Sequence, residues 1–351
     1  MSKFVKQHIK ELERIRPYQD RVDYLKLDMN ENPEGLPKEF FDKVMRGITP
    51  STVAMYPEPD KLTHILAEDM NVDFDNVLVT NGSDESIKSI FEVFTTEGSK
   101  MVSVYPTFEM YMVYAKMFNL EMSIIDYEDD FTLDLNKIVD AIDDNTSLVV
   151  LLNPGNPIGT IYTEQEVRTV VEKARKNGAI VIIDEAYYYF HDKSFVGLIK
   201  EYDNIIVTRT FSKLCSIAGL RIGYAVADKK LIECLSKIRQ TFNVNTLALH
   251  FAEAIMKEEG LIDKLIATEL EGRNYIIEKL KNSGRKVYAD NGNYVFFEPL
   301  TDKDKVVERL YEKKILTKTY SVPILKDYIR ISTGSKQAME KFWLALDSVD
   351  K

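Results

Sequence analysis

The chain contains 351 residues, of which 45% are hydrophobic and 29% are charged, and its formal net charge is −10. This composition is typical of a globular protein with two or three domains, and it excludes a disordered or fibrous chain. The negative charge and the lack of a dense Lys/Arg cluster disfavour nucleic acid as a partner, so a small molecule is the expected partner.

The N-terminal segment carries apolar residues at helical spacing, namely Val5, Ile9, Leu12 and Ile15. The spacing predicts an amphipathic helix and not a secretory signal, which would need an unbroken apolar stretch. No run approaches the roughly 20 apolar residues of a membrane span, so no membrane contact is expected. With two cysteines in the chain, and hence no disulfide framework, we expect a cytoplasmic protein.

Between residues 76 and 210, short runs rich in β-branched residues alternate with longer segments of helical periodicity. Continuous apolar strands separated by amphipathic helices are typical of a parallel sheet that helices cover on both faces. The sequence therefore predicts an α/β fold. The predicted strands are 76–81, 100–106, 147–154, 179–187 and 204–210.

Further along the chain the pattern changes to long helices, with strand-like runs at 291–300 and 328–335 and a last helix. This pattern predicts a smaller α+β domain over 246–351. We expect the large domain, a mostly parallel sheet sandwiched by helices, to cover 36–245. The N-terminal arm, 1–35, is expected to pack with the small domain.

The predicted strands end in polar or glycine-rich residues. Because ligands bind beyond the carboxyl ends of parallel strands, these endings form the candidate site. The endings are residues 81–84, 106–108, 153–159, 184–187 and 210–213.

The first ending places a glycine and two helix-capping residues where a strand passes into a helix: Gly82, Ser83 and Asp84. Free backbone N–H groups and the helix dipole favour an anion at such a junction. Each dipole contribution is modest, about 0.3–1 kcal/mol, so a phosphate would also need a cation and hydroxyl groups. A plain helix cap accounts for the motif equally well. The candidate phosphate partners are Thr210, Ser212 and Arg221.

Asp184 follows the four apolar residues 180–183 and should end a buried strand, where an unpaired carboxylate is costly. A structural ion pair would meet this need, and so would the protonated ring nitrogen of a cofactor. Attraction at about 4 Å and an effective dielectric constant of about 20 amounts to about 4 kcal/mol before desolvation, enough in principle to keep a pyridine protonated.

Four further residues suit an aromatic cofactor. Asn156, in the rigid loop NPGNPIG, and Tyr187 could each bond a phenolate oxygen, while Phe108 could stack on a flat ring. Taken singly, each of these three is better explained as a turn or a core position. Lys213 lies among small and apolar residues, a setting that lowers the pKa of a lysine and suits it to a Schiff base. The candidate phosphate residues Gly82, Ser83, Asp84, Thr210, Ser212 and Arg221 are called the phosphate cup below. Together with Asp184 and the phosphate cup, these features describe pyridoxal phosphate.

The chain resembles the pyridoxal-phosphate aminotransferases of fold type I, and most closely the histidinol-phosphate aminotransferase group. The likeness covers nearly the whole chain. The matching stretches are RPY (16–18), LDMNENPEG (27–35), YPEPD (56–60), TNGSDE (80–85), PTFEMY (106–111), NPGNPIGT (153–160), IDEAYYYF (183–190), TFSKLCSIAGLRIGY (210–224) and YIRISTGS (328–335).

The resemblance implies roles for the candidate residues. Lys213 would form the Schiff base and Asp184 would pair with the pyridine nitrogen. Asn156 and Tyr187 would bond the ring oxygen, with Lys213, Asp184 and Tyr187 as the catalytic residues. Phe108 would stack on the ring, where the family usually has a tyrosine. The residues around the phosphate would be Gly82, Ser83, Asp84, Thr210, Ser212 and Arg221.

The resemblance also implies substrate residues and an assembly. Arg330 matches the family arginine that binds the substrate carboxylate, and Tyr18 and Asn32 would line the substrate side. Tyr56 would reach the cofactor of the neighbouring subunit, so the active unit would be a homodimer. No metal is expected.

Two positions depart from the family pattern. Ile158 replaces the usual threonine of the NPxNPTG loop, which is a mild change. Lys318 stands where the histidinol-phosphate enzymes are expected to carry a second substrate-site arginine. Because lysine is a point charge without a planar fork, this change leaves the phosphorylated substrate open to question.

The resemblance implies a ping-pong transamination between an amino donor, with histidinol phosphate as the first guess, and a 2-keto acid such as 2-oxoglutarate. Two alternatives stay open. One is a decarboxylase of the threonine-phosphate decarboxylase type, which shares the fold and most cofactor residues. The other is an aromatic amino acid aminotransferase.

Overall fold

The computed structural model describes residues 4–13, 20–191 and 193–351. Its α-helices, α1 to α13 in chain order, are Gln7–Lys10, Lys38–Arg46, Pro50–Ala54, Asp60–Asp69, Ser83–Phe94, Glu109–Met117, Leu135–Ala141, Glu164–Lys176, Lys229–Ile238, Thr246–Lys257, Leu261–Asn282, Lys303–Glu312 and Lys336–Val349. Its β-strands, β1 to β13 in chain order, are Leu25–Lys26, Val77–Thr80, Lys100–Tyr105, Glu121–Asp126, Thr146–Leu152, Ile180–Asp184, Ile205–Thr210, Gly223–Ala227, Val287–Tyr288, Tyr294–Phe297, Ile315–Leu316, Lys318–Thr319 and Ile329–Ser332.

The main sheet has the strand order β2-β8-β7-β6-β5-β3-β4. The pairs from β7 to β4 are parallel, and β8 is antiparallel to both of its neighbours. Successive residues of β6 face opposite sides: Val181 and Ile183 pack in a cluster with α8, whereas Ile182 packs in a second cluster with α5 and α6. A mostly parallel sheet between two helix layers confirms the predicted fold class.

Two strands of this sheet were not predicted. The edge strand β4 reads EMSIID, starts at the exposed Glu121, and so lacks a continuous apolar run. The strand β8 is built largely from small residues, including Gly223, Ala225 and Ala227. A Cβ on Gly223 would lie 2.5 Å from the backbone nitrogen of Ser83, so β8 approaches the start of α5 too closely for a side chain. Such a strand, with Val226 as its one β-branched residue, gives sequence analysis only a weak signal.

The predicted N-terminal helix is shorter than expected. In the described part of the first 20 residues it is the single turn Gln7–Lys10, and Ile15 lies outside the described residues. None of the residues in this turn is buried. Short helices are marginal without packing of an apolar face, which accounts for the single turn.

The C-terminal part contains a second sheet, with the antiparallel order β12-β13-β10-β9, and β1 pairs in parallel with β11. Leu27, just after β1, is buried in an apolar cluster with residues of α11, α12 and α13. The helix α10, at the start of the predicted small domain, packs against α4. The domain ranges 1–35, 36–245 and 246–351 stay a prediction.

The register of the main sheet brings three predicted strand endings together. Asp184 at the end of β6 pairs with Thr208 of β7. Gly223 of β8 pairs with Thr80 on one side and with Thr210 on the other. The segments that follow β2, β6 and β7 therefore meet at one edge of the sheet. Within the described ranges, no helix is long and apolar enough to cross a membrane.

Candidate active site

Lys213 follows β7 by three residues, and its amine points into the protein. Nζ donates to the backbone oxygen of Met29 at 3.1 Å and lies 5.5 Å from the centre of the Tyr187 ring. Burial, and then the positive charge of Arg330, lowers the pKa of the amine to about 8. An uncharged, nucleophilic amine is therefore accessible close to neutral pH.

Asp184 ends β6 and is only 4% exposed. Tyr111 Oη donates to Oδ2 at 2.9 Å, and the backbone N–H of Ala186 donates to Oδ1 at 3.0 Å. Burial raises the pKa of this carboxyl, although the Tyr111 bond acts in the opposite direction. A buried ion pair lies next to Asp184 but does not include it. It joins Arg209 to Glu185, with Nη2 of the arginine 2.8 Å from Oε2 of the glutamate. Among the described residues Asp184 has no salt bridge, and so it can face a cationic group.

The hydroxyl of Tyr187 is held by Asn30, a residue that sequence analysis did not select. Asn30 Nδ2 donates to Tyr187 Oη at 2.7 Å and lies 3.5 Å from Asn156 Oδ1. The backbone of Asn30 is left-handed, with φ of 54°, and its N–H donates to Ser332 Oγ at 2.8 Å. Burial raises the pKa of Tyr187 to about 12, so its hydroxyl keeps a proton that it can donate to an oxyanion.

The start of α5 combines a helix N-terminus with a cation. Gly82 precedes the helix with φ of 76°, and a Cβ there would lie 2.6 Å from Arg221 Nη2. Only a glycine therefore lets this guanidinium lie against the backbone beside Ser83, the first residue of α5. Helix N-terminal N–H groups and an arginine together form a phosphate-binding arrangement.

The two hydroxyls predicted for the phosphate cup contact each other, since Thr210 Oγ1 donates to Ser212 Oγ at 2.8 Å. Thr210 also pairs with Gly223, which packs against the start of α5. Asp84 has a different setting, because its Oδ1 accepts a hydrogen bond from Tyr114 Oη at 2.9 Å. This bond joins the first turn of α5 to α6.

Phe108 lies at the start of α6 beside the buried carboxylate. Its half-buried ring meets Tyr111 edge to face, with centres 6.1 Å apart and an angle of 82°. Because Tyr111 bonds to Asp184, the Phe108 ring is placed next to the end of β6. An aromatic ring in this position can stack on a flat cofactor.

Arg330 lies on β13 and is only 4% exposed. Nη1 donates to Tyr320 Oη at 2.7 Å and lies 3.5 Å from Asn156 Oδ1, while Nη2 donates to the backbone oxygen of Asp28. Among the described residues, no carboxylate forms a salt bridge with Arg330. A buried guanidinium without a carboxylate partner is suited to an anionic ligand.

The two departures from the family pattern have different settings. Ile158 is 1% exposed and packs in the apolar cluster that contains Val181 and Ile183, so this change affects the core. Lys318 of β12 is the register partner of Arg330, and its Nζ lies 5.7 Å from the centre of the Tyr320 ring. The lysine is therefore at the same end of the site as Arg330.

Of three further predicted residues, two lie at the margin of the site and one lies outside the residues that the structure describes. Asn32 Nδ2 donates to Ser216 Oγ at 2.7 Å, in the loop that carries the candidate lysine. Tyr56 is 74% exposed and stacks on Phe242, with ring centres 4.1 Å apart. No hydrogen bond or ring contact among the described residues links Tyr56 to the rest of the site. Tyr18 lies outside the described residues.

Sequence analysis missed three residues that the structure places in the site: Asn30, Tyr111 and Tyr320. Tyr111 lies three positions after Phe108 on α6, a spacing that puts both on one helix face. Tyr320 lies two positions after Lys318, the spacing of one face of an extended chain. These spacings could have indicated both tyrosines, whereas the link between Asn30 and Tyr187 spans 157 positions and has no local signal.

These residues fit the expected pyridoxal phosphate. The start of α5, with Arg221 against Gly82, suits the phosphate group. The buried Asp184 without a salt bridge among the described residues suits a protonated ring nitrogen. The amine of Lys213, with a pKa of about 8, suits the aldehyde.

Comparisons with known proteins agree on one family. The family model described as "Aminotransferase class I and II" matches residues 22–346. A curated histidinol-phosphate aminotransferase from Clostridium novyi (strain NT) is 33% identical over 334 residues, which are 93% of either chain. One from Methanocaldococcus jannaschii is 31% identical over 338 residues, or 93% of this chain and 89% of the relative.

Solved structures show the same fold. The histidinol-phosphate aminotransferase of Sinorhizobium meliloti, solved in complex with pyridoxal-5'-phosphate, has a TM-score of 0.88 at 22% identity, covering 99% of this chain and 98% of its own. The histidinol-phosphate aminotransferase of Clostridium acetobutylicum has a TM-score of 0.82 at 23% identity, covering 93% and 98%.

Proposed function

Because the chain belongs to the aminotransferase class I and II family and is a pyridoxal-phosphate-dependent aminotransferase, we propose that it transfers the amino group of L-histidinol phosphate to 2-oxoglutarate. The observation that carries this proposal is the buried Arg330, which has no salt bridge among the described residues and stands opposite a second cation, Lys318. The names of the relatives support the same donor. They do not favour the decarboxylase or the aromatic amino acid aminotransferase.

Pyridoxal phosphate, when bound, supplies an electron-withdrawing ring that stabilises negative charge on the substrate carbon bearing the amine. In this proposal Asp184 would keep the ring nitrogen protonated, and Phe108 would stack on the ring. Asn156 and Tyr187 would hold the ring oxygen, and Asn30 orients Tyr187 through its 2.7 Å bond. The residues assigned to the phosphate are Gly82, Ser83, Asp84, Thr210, Ser212 and Arg221.

Lys213 has two tasks in the proposed reaction. Its amine would hold the cofactor in the absence of substrate, and during turnover Nζ would take the proton from the substrate carbon that bears the amine. A base works best when its pKa lies near the working pH, and the pKa of about 8 for Lys213 meets this requirement.

The substrate side is assigned to Arg330, Lys318, Asn32 and Tyr18. Arg330 binds an anionic group of the donor and, in the second half-reaction, a carboxylate of 2-oxoglutarate, so one buried cation serves both partners. Asn32 is fixed by its bond to Ser216 beside the Lys213 loop.

The proposal includes a homodimer in which Tyr56 reaches the cofactor of the partner subunit. Its support is the exposed aromatic pair that Tyr56 forms with Phe242, which is 48% exposed. Paired exposed aromatic side chains are typical of interaction surfaces. Analytical ultracentrifugation should give a particle of twice the chain mass, and a particle of one chain would contradict the dimer.

The proposed cytoplasmic location is supported by the free thiols of Cys215 and Cys234.

The donor can be tested by turnover. The purified protein, loaded with pyridoxal phosphate, is given 2-oxoglutarate and one of three donors: L-histidinol phosphate, L-phenylalanine or L-threonine O-3-phosphate. We expect glutamate to form fastest from L-histidinol phosphate. Faster glutamate formation from L-phenylalanine would refute this donor, and carbon dioxide release from threonine phosphate without glutamate would refute amino transfer.

A further inference from the structure

Two cations face each other across β12 and β13. Lys318 and Arg330 are register partners in this antiparallel pair. Lys318 Nζ and Arg330 Cζ each lie 5.7 Å from the centre of one ring, that of Tyr320. Like charges directly opposite each other on antiparallel strands repel. In the described chain neither cation has a salt bridge, so both are available to an anionic ligand.

The hydrogen bonds of Arg330 leave one edge of its guanidinium unused. Nη1 donates to Tyr320 and lies near Asn156, Nη2 donates to the backbone oxygen of Asp28, and Nε is buried without a partner among the described atoms. Arginine has five N–H donors, so Nε–H and one N–H of Nη2 remain. These two donors are the ones that Arg330 has left for an anion.

The hydroxyl of Tyr320 can still donate one hydrogen bond. Oη accepts from Arg330 Nη1 at 2.7 Å, and no described atom accepts the hydroxyl proton. Burial raises the pKa of Tyr320, so the hydroxyl keeps this proton at neutral pH. The ring packs on Phe296 with centres 6.0 Å apart, which fixes the hydroxyl beside Arg330.

We propose that Tyr320 determines the specificity of this site for a phosphate dianion, because its hydroxyl accepts from Arg330 and donates its own proton to the same anion. The edge of Arg330 alone satisfies a carboxylate. A phosphate has a third terminal oxygen and a second negative charge, which Tyr320 and Lys318 meet. An arginine at position 318 would give the anion a directed hydrogen bond, and Lys318 does not. Tyr320 thus supplies this bond instead. The inference rests on the proposed function for the identity of the donor, L-histidinol phosphate.

The test compares the holoenzyme with Tyr320→Phe, which removes only the hydroxyl, and with Tyr328→Phe as a matched control. Tyr328 also packs on Phe296, with ring centres 6.2 Å apart, but has no bond to Arg330. Dissociation constants are measured from the absorption of the bound cofactor for three ligands: L-histidinol phosphate, L-histidinol, which lacks the phosphate, and 2-oxoglutarate.

For Tyr320→Phe we expect the phosphorylated donor to bind at least about 10-fold more weakly, the scale of one lost hydrogen bond to a charged group. The constants for L-histidinol and 2-oxoglutarate should change by less than about threefold, because neither carries the phosphate group that uses the Tyr320 proton. Tyr328→Phe should leave all three constants unchanged.

Unchanged affinity of Tyr320→Phe for L-histidinol phosphate would overturn the inference. An equal loss for L-histidinol would overturn it as well, since it would show general damage to the site. If the wild type does not bind L-histidinol phosphate, the proposed donor is wrong. The role of Tyr320 is then tested by measuring the inhibition constant of inorganic phosphate as a competitor of 2-oxoglutarate. An inhibition constant about 10-fold higher in Tyr320→Phe supports the inference, and an equal constant overturns it.

Discussion

Replacing Tyr111 with phenylalanine removes one hydrogen bond to a buried carboxylate. Tyr111 Oη lies 2.9 Å from Asp184 Oδ2, and both side chains are buried. A hydrogen bond to a charged group contributes about 1.5–3 kcal/mol, and its loss raises the pKa of the carboxyl further. We therefore expect Tyr111→Phe to lower the free energy of unfolding of the cofactor-free protein by about 1.5–3 kcal/mol near neutral pH.

The effect should depend on pH with a definite sign. Burial already raises the pKa of Asp184 above its ordinary value, and loss of the Tyr111 bond raises it further. At a pH where Asp184 is protonated in both proteins, their stabilities should differ little. As the pH rises through the pKa of the folded carboxyl, the variant ionises Asp184 at a greater cost, so the stability difference grows and then levels off.

The assay is urea unfolding of the cofactor-free proteins at several values between about pH 4 and pH 8. Tyr114→Phe is the matched control, because it removes a 2.9 Å bond to the half-buried Asp84 and should cost less. A stability difference for Tyr111→Phe that stays constant with pH, or that equals the cost of Tyr114→Phe, would show that Tyr111 does not stabilise the ionised form of Asp184.

The rate at which the cofactor-free protein forms the Schiff base with added pyridoxal phosphate should rise with pH through about 8, because Lys213 must lose its proton to attack the aldehyde; a rate that stays flat across this range would contradict that role. Asn30→Ala removes the 2.7 Å bond to Tyr187 and should weaken pyridoxal phosphate binding about 10-fold in an absorption titration, whereas unchanged affinity would deny the orienting role. Glu185→Gln leaves Arg209 buried without its carboxylate and should lower the free energy of unfolding by about 3–5 kcal/mol in urea; a loss below about 1 kcal/mol would show that the pair is unimportant.

The centre of the site could be predicted from the sequence because parallel strands all end at one edge of the sheet. Asp184 and Lys213 each follow an apolar run, and the register of β6 and β7 brings the two strand ends side by side. The same logic placed Gly82 at the start of α5. Local pattern and sheet topology were sufficient for these positions.

The remaining parts depend on long-range packing. Asn30 lies in an irregular segment and reaches Tyr187 only in the folded chain. The strand β8 is held by close backbone approach at Gly223, and its sequence GYAVA contains one β-branched residue, so its strand signal is weak. The buried carboxylate could be identified from its four apolar neighbours, but its hydrogen bond with Tyr111 and the ion pair of Glu185 with Arg209 required the structure.

The most direct test of the account is a single half-reaction. The holoenzyme is titrated with L-histidinol phosphate in the absence of a keto acid, and the absorption of the bound cofactor is followed. The account predicts conversion of the bound pyridoxal phosphate to pyridoxamine phosphate, reversal by 2-oxoglutarate, and no conversion in Lys213→Ala. Unchanged absorption of the wild-type holoenzyme, or conversion by Lys213→Ala at the wild-type rate, would contradict it.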